Sequence, residues 1–342
     1  MTTKHIEKTF VESAKKLIDT ATNIVIVSHK NPDGDAIGSG LALFHYLKMQ
    51  NKQVTFILPD FMPQNMLWLP NVDKIVIYKA NPTNGDAIIA RADLIIMVDF
   101  NSFTRLGDSG KSFENSSAKR ILIDHHLYPN VQTTAAYSRD GASSTCELMY
   151  EFLSEINQTD TLPTDIATCI FTGIMTDTGC FNYNSSEPNT FTTVANLLKS
   201  GINKDKIVDH VFNHFSETRL RLLGHSLNKK MRVFPQYHTA YIWLTKSELE
   251  RYNFQQGDTE GLVNYPLTID GINFSALFTE KDGLTKCSFR SRGSFPANKV
   301  ASDHFNGGGH LNAAGGEFYK TIGKTINYFE EILPQYESLF EE

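Results

Sequence analysis

The sequence has no hydrophobic run long enough to cross a membrane. Its apolar stretches, such as 24–27 and 94–98, fall far short of the roughly 18–20 residues that a membrane-spanning helix needs. The first ten residues include Lys4, Glu7 and Lys8 and lack the apolar core of a signal peptide. We therefore expect a soluble, cytoplasmic protein that does not bind membranes.

Cysteine and net positive charge are also lacking. The chain has 4 cysteines and no CxxC pair, which argues against a disulfide framework or a structural zinc site and fits a reducing compartment. Its 38 acidic residues outnumber 32 lysines and arginines, for a formal net charge of −6. Proteins that coat long duplex DNA normally carry a basic surface, so long-duplex binding is excluded, while a short anionic substrate is not.

The remaining composition is that of an ordinary globular protein, with 41% hydrophobic and 20% charged residues over a length of 342 that favours two domains. Up to about residue 200, short apolar strands alternate with helical segments. Strands that are apolar throughout indicate a sheet covered on both faces, and the alternation favours a doubly wound, mostly parallel α/β sheet. The predicted strands are 23–28, 54–58, 74–78, 94–99 and 120–124.

A second, smaller mixed α/β domain is predicted beyond a helical connector. The helical pattern over about 204–230 has no internal proline, and its only internal glycine is Gly224. Strands at 238–244, 272–279 and 284–291, a helix at 297–305 and a glycine-rich turn at 307–309 follow. The predicted boundaries are 1–204 for the first domain, 205–228 for the connector and 229–342 for the second domain.

Acidic and histidine side chains follow the ends of the predicted strands. Three clusters lie at strand ends and a fourth follows a helical segment: His29, Asp33 and Asp35; Asp99; Asp124, His125 and His126; and Asp177. The carboxyl ends of parallel strands form the edge where open α/β sheets bind ligands. Bringing these groups together is costly unless cations neutralise them, and mixed nitrogen and oxygen ligands suit Mn, Fe, Co or Zn.

Taken together, the motifs resemble those of the DHH phosphoesterase family. They are HKNPDGD at 29–35, VD at 98–99, DHH at 124–126 and GIMTDTG at 173–179. The segments FRSR at 289–292 and GGGH at 307–310 resemble the DHH-associated nucleotide-binding domain. The two-domain length resembles the branch of nano-RNases (oligoribonucleases) and pAp phosphatases, where pAp is 3′-phosphoadenosine 5′-phosphate.

The resemblance implies a catalytic first domain that holds two divalent metal ions, usually Mn²⁺. His29 and Asp33 would bind one ion, and Asp35, His125 and Asp177 the other, with Asp99 bridging both. His126 would contact the phosphate or assist the leaving group, and Asp124 would orient the neighbouring imidazole. Asp99, Asp124 and His126 are therefore the predicted catalytic residues.

The second domain is expected to bind the substrate through a local excess of positive charge. Arg290 and Arg292, two apart on a predicted strand, would share a face suited to phosphate, although a solvated edge strand is the alternative. Gly307, Gly308, Gly309 and His310 would let the backbone approach a phosphate, and a simple turn is the alternative. In the first domain, Arg105 follows Asp99 at a place where the family often carries an arginine, and it is expected to contact substrate phosphate, with a surface loop charge as the alternative.

The expected function is manganese-dependent hydrolysis of short single-stranded RNA or DNA oligonucleotides to mononucleotides and of pAp to AMP. Hydrolysis of linear or cyclic signalling dinucleotides is the main alternative. An inorganic pyrophosphatase and a non-catalytic nucleotide sensor are the others. The sequence does not distinguish RNA from DNA as the substrate, or 5′ from 3′ cleavage polarity. A homodimer is compatible with the sequence.

Overall fold

The computed structural model describes residues 6–213, 215–255 and 257–339. The chain divides into two compact units, 1–214 and 215–342, and each contains one six-stranded sheet. Within the described ranges, no helix is both long and apolar enough to span a membrane.

The first unit alternates strands and helices along most of its length. Its elements are α1 (Lys8–Thr20), β1 (Asn23–Val27), α2 (Gly34–Met49), β2 (Gln53–Leu58), β3 (Val76–Ile77), α3 (Pro82–Arg91), β4 (Leu94–Val98), α4 (Gly110–Glu114), β5 (Lys119–Asp124), β6 (Ala135–Ser138), α5 (Thr145–Asn157), α6 (Thr164–Asp177), α7 (Pro188–Lys199) and α8 (Lys204–Val208). The strands pair in parallel in the order β3-β2-β1-β4-β5-β6. The strand order reverses between β1 and β4, so these two strands form the topological switch point.

Both faces of this sheet are buried, as the uninterrupted apolar strands predict. In β1, Ile24 and Ile26 belong to one buried hydrophobic cluster, whereas Val25 and Val27 belong to another. Successive strand residues point to opposite faces, so the two clusters lie on opposite sides of the sheet. The predicted doubly wound α/β fold is confirmed.

The second unit is built on a mixed sheet, as predicted. Its elements are α9 (Glu217–Lys229), β7 (Met231–Phe234), β8 (Thr239–Leu244), α10 (Lys246–Arg251), β9 (Phe274–Lys281), β10 (Leu284–Ser291), α11 (Ala297–His304), β11 (Gly308–His310), β12 (Ala313–Phe318) and α12 (Ile322–Ile332). The strand order is β11-β12-β10-β9-β8-β7, in which β8 and β9 are parallel and the other pairs antiparallel.

Two local predictions differ from the structure. The helical run at 204–230 is interrupted: α8 ends at Val208, a π-helical turn covers Asp209–Asn213, and Ser216 starts α9 by accepting a hydrogen bond from the Arg219 N–H. Ser216 is an N-cap inside a pattern that periodicity alone extends as one helix. The predicted glycine-rich turn is instead the entry to an edge strand, because Gly308–His310 pair with β12.

Candidate active site

The polar residues that follow β1, β4 and β5 lie at neighbouring positions along one edge of the first sheet. β1 pairs with β4, and β4 pairs with β5, all in parallel. Their carboxyl ends therefore lie side by side at the switch point. His29 lies just beyond β1, Asp99 directly follows β4, and the Asp124–His126 motif begins at the end of β5.

The loop between β1 and α2 orients His29 and Asp33. Asp33 caps α2, and its Oδ1 accepts hydrogen bonds from the N–H groups of Asp35 (3.1 Å) and Ala36 (3.0 Å). The His29 Nδ1 lies 2.8 Å from the Lys30 carbonyl oxygen, and only an N–H can satisfy that acceptor. In the neutral imidazole, the Nε2 lone pair is then available, 3.3 Å from Asp99 Oδ2 and 3.9 Å from Asp33 Oδ2.

Three overlapping groups of potential ligands are present in this part of the fold. In each group, one donor atom from every member lies within 4.8 Å of the others. The groups are His29, Asp33 and Asp99; Asp35, His125 and Asp177; and Asp99, His125 and His126. The structure thus brings together all six residues that the sequence predicts as metal ligands, and Asp99 belongs to two of the groups.

Asp99 is held in an uncommon backbone conformation, with φ of 64°. A left-handed non-glycine residue is uncommon and, in a site of this kind, consistent with a functional constraint. Its Oδ1 accepts a hydrogen bond of 2.9 Å from the Thr145 hydroxyl and lies 3.7 Å from His125 Nε2. Because His29 contacts the other oxygen, both carboxylate oxygens are directed into the site.

The N-terminus of α5 binds Asp35, a contact that no local sequence pattern indicates. The Thr145 N–H donates to Asp35 Oδ2 (2.7 Å), and the Cys146 N–H donates to Oδ1 (2.8 Å). Ser144 is the N-cap of α5, since its side chain accepts from the Glu147 N–H. The Ser-Ser-Thr sequence signals a helix start, but the loop that this start faces is set by tertiary packing.

The negative charges of two of these carboxylates, Asp35 and Asp177, are only partly compensated. Burial and the charges of Asp99 and Asp177 raise the pKa of Asp35 well above its usual range. Desolvation and the charges of Asp33 and Asp99 outweigh the opposing effect of His125 and raise the pKa of Asp177 to about 7. Cations would relieve both effects, and the mixed carboxylate and imidazole donors suit Mn²⁺ or a similar divalent ion.

His126 lies between the carboxylate of Asp124 and the guanidinium of Arg105. Its Nδ1 is 2.7 Å from Asp124 Oδ1, and its Nε2 is 3.2 Å from Arg105 Nη1. Because a guanidinium can only donate, Nε2 accepts, and the imidazole proton therefore lies on Nδ1, directed at Asp124. The structure thus joins three of the predicted residues in one hydrogen-bonded chain.

In the second unit, Arg290 and His310 share a face of the sheet. Arg290 of β10 and His310 of β11 both pair with Ala313 of β12, which lies between these strands. Their side chains therefore project from the same face of the sheet. Arg292 lies one residue beyond β10 and is exposed, and its N–H donates to the Asn273 carbonyl (2.8 Å). This face therefore carries at least two of the predicted phosphate-binding side chains.

The three glycines before His310 have different surroundings. A Cβ on Gly307 would lie 2.0 Å from the Gly315 carbonyl oxygen, and one on Gly309 would lie 2.4 Å from that of Ala313. These two positions therefore allow β11 to approach β12 closely. Gly308, by contrast, is exposed, and a Cβ there would meet nothing within 4 Å. Of the three glycines, Gly308 is therefore the one with open space where a side chain would project.

Fold and site together define a doubly wound α/β protein whose ligand groups suit divalent cations. Residues 23–174 match the model of the DHH family, N-terminal domain, and residues 235–342 match that of the DHHA1 domain. The chain belongs to the DHH phosphoesterase family.

Two similar relatives are named as bifunctional oligoribonuclease and PAP phosphatase NrnA. The Streptococcus mutans protein, whose name adds "probable", is 27% identical over 310 residues, covering 90% of this chain and 93% of its own. The Bacillus subtilis protein is 26% identical over 307 residues, covering 89% and 92%. A cyclic-di-AMP phosphodiesterase PdeA from Listeria monocytogenes is 23% identical and covers 89% of this chain but 46% of its own.

Two solved structures share the fold of this chain. An exopolyphosphatase-related protein from Bacteroides fragilis has a TM-score of 0.95 and 41% identity, and both chains are covered completely. An exonuclease RecJ bound to manganese shares the fold, with a TM-score of 0.52 and 14% identity over 99% of this chain and 96% of its own.

Proposed function

We propose that this protein hydrolyses short single-stranded oligonucleotides, from dinucleotides upward, to mononucleotides, and pAp to AMP. The observation that carries the proposal is the set of three overlapping ligand groups on the switch-point edge, two of which contain Asp99. It occurs in a chain that aligns over about nine-tenths of its length with oligoribonuclease and PAP phosphatase relatives. The four cysteines of this chain form no disulfide within the described residues, which supports a reducing, cytoplasmic setting.

We assign two divalent cations, with Mn²⁺ as the preferred ion, to this edge. One would be held by His29, Asp33 and Asp99, and the other by Asp35, His125 and Asp177 together with Asp99. When bound, such a pair lowers the pKa of a water molecule and stabilises the attacked phosphoryl group. The protein prepares the ligands by directing the Nε2 of His29 inward and by fixing Asp35 and Asp99 through the start of α5.

His126 and Arg105 complete the proposed reaction centre. Asp124 keeps a proton on the His126 Nδ1, so Nε2 is the nitrogen that can take up a proton and release it to the leaving oxygen. The Arg105 guanidinium, now 3.2 Å from that nitrogen, would turn to a phosphate oxygen when substrate binds. Asp124 acts through His126, so it is a positioning residue.

The second unit would bind a phosphate that is not being cleaved. Arg290, Arg292 and His310 would supply the side chains, and the open space at the exposed Gly308 would let a phosphate approach the backbone. A subsite for one end of the substrate would favour very short oligonucleotides and nucleoside bisphosphates over long strands. The net charge of −6 is compatible with such a subsite, because the positively charged side chains that would bind the phosphate are concentrated in one part of the second unit.

The test is product analysis over time with purified protein and Mn²⁺. The substrates are 5′-labelled pApA and oligomers of up to ten nucleotides, together with pAp, cyclic di-AMP and pyrophosphate. We expect mononucleotides from the short oligomers and AMP from pAp, with turnover decreasing as the oligomer lengthens. Faster turnover of cyclic di-AMP or of pyrophosphate than of pApA and pAp would replace this proposal with one of the alternatives.

A further inference from the structure

The hairpin that carries His310 closes with a turn that is not of the usual hairpin type. His310 pairs with Ala313, so Leu311 and Asn312 alone form the turn between β11 and β12. Two-residue hairpin turns normally need a positive φ at one or both residues. Among the described residues, Leu311 and Asn312 are not in the set with positive φ. The backbone geometry alone therefore does not stabilise this turn in the usual way.

The Asn312 side chain instead anchors the turn to the end of the neighbouring strand. Its Nδ2 donates to the Ser291 hydroxyl (2.9 Å) and to the Gly293 carbonyl (3.0 Å). Its backbone carbonyl accepts a hydrogen bond of 3.0 Å from the Ser291 N–H. A primary amide has two N–H donors, and both are used here.

The two residues that Asn312 holds lie directly before and after Arg292. Ser291 is buried, and its hydroxyl donates onward to the Phe295 carbonyl (2.7 Å). Gly293 has φ of 61°, so the chain turns sharply immediately after the arginine. The Arg292 N–H is itself bonded to Asn273. The backbone of Arg292 is thus fixed from both sides, while its side chain stays exposed.

We propose that Asn312 is a positioning residue that holds the Arg292 turn against the His310 hairpin and so preforms the phosphate subsite. This inference rests on the proposed function, because it assigns Arg292 and His310 to substrate phosphate. A long arginine side chain on a fixed backbone loses less conformational freedom when it binds than one on a mobile turn. Asn312 therefore acts on substrate affinity and leaves the chemical step unchanged.

The kinetic test compares Asn312→Ala with the wild-type protein on pApA and on bis-p-nitrophenyl phosphate. The second substrate has no additional phosphate for the second unit to bind. We expect KM for pApA to rise about tenfold, since about 1.4 kcal/mol corresponds to a factor of ten, with kcat nearly unchanged. Turnover of bis-p-nitrophenyl phosphate should not change. A fall in kcat on both substrates would overturn the positioning role.

A double-mutant cycle with Arg292→Ala separates positioning from general damage to the fold. If Asn312 acts through Arg292, Asn312→Ala should add little to the KM of the Arg292→Ala protein, whereas fully additive effects would contradict the inference. Thr268→Val is the matched control, since it removes one local hydrogen bond of 2.7 Å to the Tyr265 carbonyl in the same unit. That variant should retain the wild-type KM.

Amide hydrogen exchange tests the same inference without using activity. Asn312→Ala should accelerate exchange at Ser291 and Arg292, and Thr268→Val should not. Inactivity of the wild-type protein on pApA and pAp would defeat the proposed function, while the exchange result would still decide whether Asn312 orders this turn. Unchanged exchange in Asn312→Ala would overturn the positioning role even in an active enzyme.

Discussion

Asp177→Asn should stabilise the metal-free protein while weakening its response to metal. Asp177 is the last residue of α6, where a negative charge opposes the helix dipole, and nearby carboxylates add to the repulsion. Asparagine keeps the shape of the side chain and removes its charge. A residue that destabilises the metal-free fold should therefore also contribute to cation binding.

The size of the effect follows from the pKa of Asp177. Raising this pKa from 3.8 to about 7 corresponds to about 4 kcal/mol of destabilisation above pH 7. The side chain is 26% exposed and neighbouring acids share the charge, so we expect about 1–3 kcal/mol. Below about pH 4 the Asp177 carboxyl is protonated in both the folded and the unfolded state, so Asp177→Asn should then be no more stable than wild type. The extra stability of the variant should appear as the pH rises from about 4 to 7 and stay constant above pH 7.

Differential scanning calorimetry at pH 8, with EDTA or with Mn²⁺, measures both effects. Mn²⁺ at a hundredfold excess over Kd should stabilise the wild-type first unit by about 2.7 kcal/mol, or about 5–10 °C in Tm. Asp177→Asn should unfold at a higher temperature in EDTA and lose more than half of that shift. Asp165→Asn is the matched control, because Asp165 is exposed in the first turn of the same helix. A lower Tm in EDTA, or an undiminished Mn²⁺-induced rise in Tm, for Asp177→Asn would contradict this prediction.

Three further predictions concern single side chains. Thr145→Val removes the hydroxyl that binds Asp99 and should lower Mn²⁺ affinity about tenfold by calorimetric titration, whereas Thr145→Ser should restore it. His126→Ala should lower kcat about a hundredfold while retaining the Mn²⁺-induced rise in Tm, and equal loss of both would contradict its separate role. Burial raises the pKa of Glu248, but hydrogen bonds led by the Thr245 N–H outweigh it and lower this pKa to about 2. Glu248→Gln should therefore cost about 1 kcal/mol at pH 7 in urea unfolding, and its difference from wild type should disappear as the pH falls from 4.5 towards 2.

The first unit and its site could be predicted because strand ends and chemistry coincide in the sequence. A strand that is apolar throughout needs cover on both faces, which restricts the fold to a parallel sheet with helices on either side. Parallel strands align their carboxyl ends, so His29, Asp99 and His125 are placed near one another by topology alone. The observed distances agree with that expectation.

What the sequence did not reveal depends on tertiary contacts. β12 is AAGGEF, a composition typical of a loop, and it becomes a strand because β10 and β11 flank it. The contact of Thr145 with Asp35 joins residues 110 positions apart, and no local pattern indicates it. The break between α8 and α9 likewise includes a π-helical turn and a capping serine, Ser216, which helical periodicity alone does not indicate.

We expect hydrolysis of short nucleotides to take place at the metal-binding edge built around Asp99. The most direct measurement is release of AMP from pApA and pAp by the wild-type and Asp99→Asn proteins, each with Mn²⁺ and with EDTA. Asparagine tolerates the left-handed backbone at this position, so the variant should fold. We expect AMP from both substrates only for the wild-type protein with Mn²⁺. Wild-type turnover that persists in EDTA, or an Asp99→Asn protein with full activity, would contradict it.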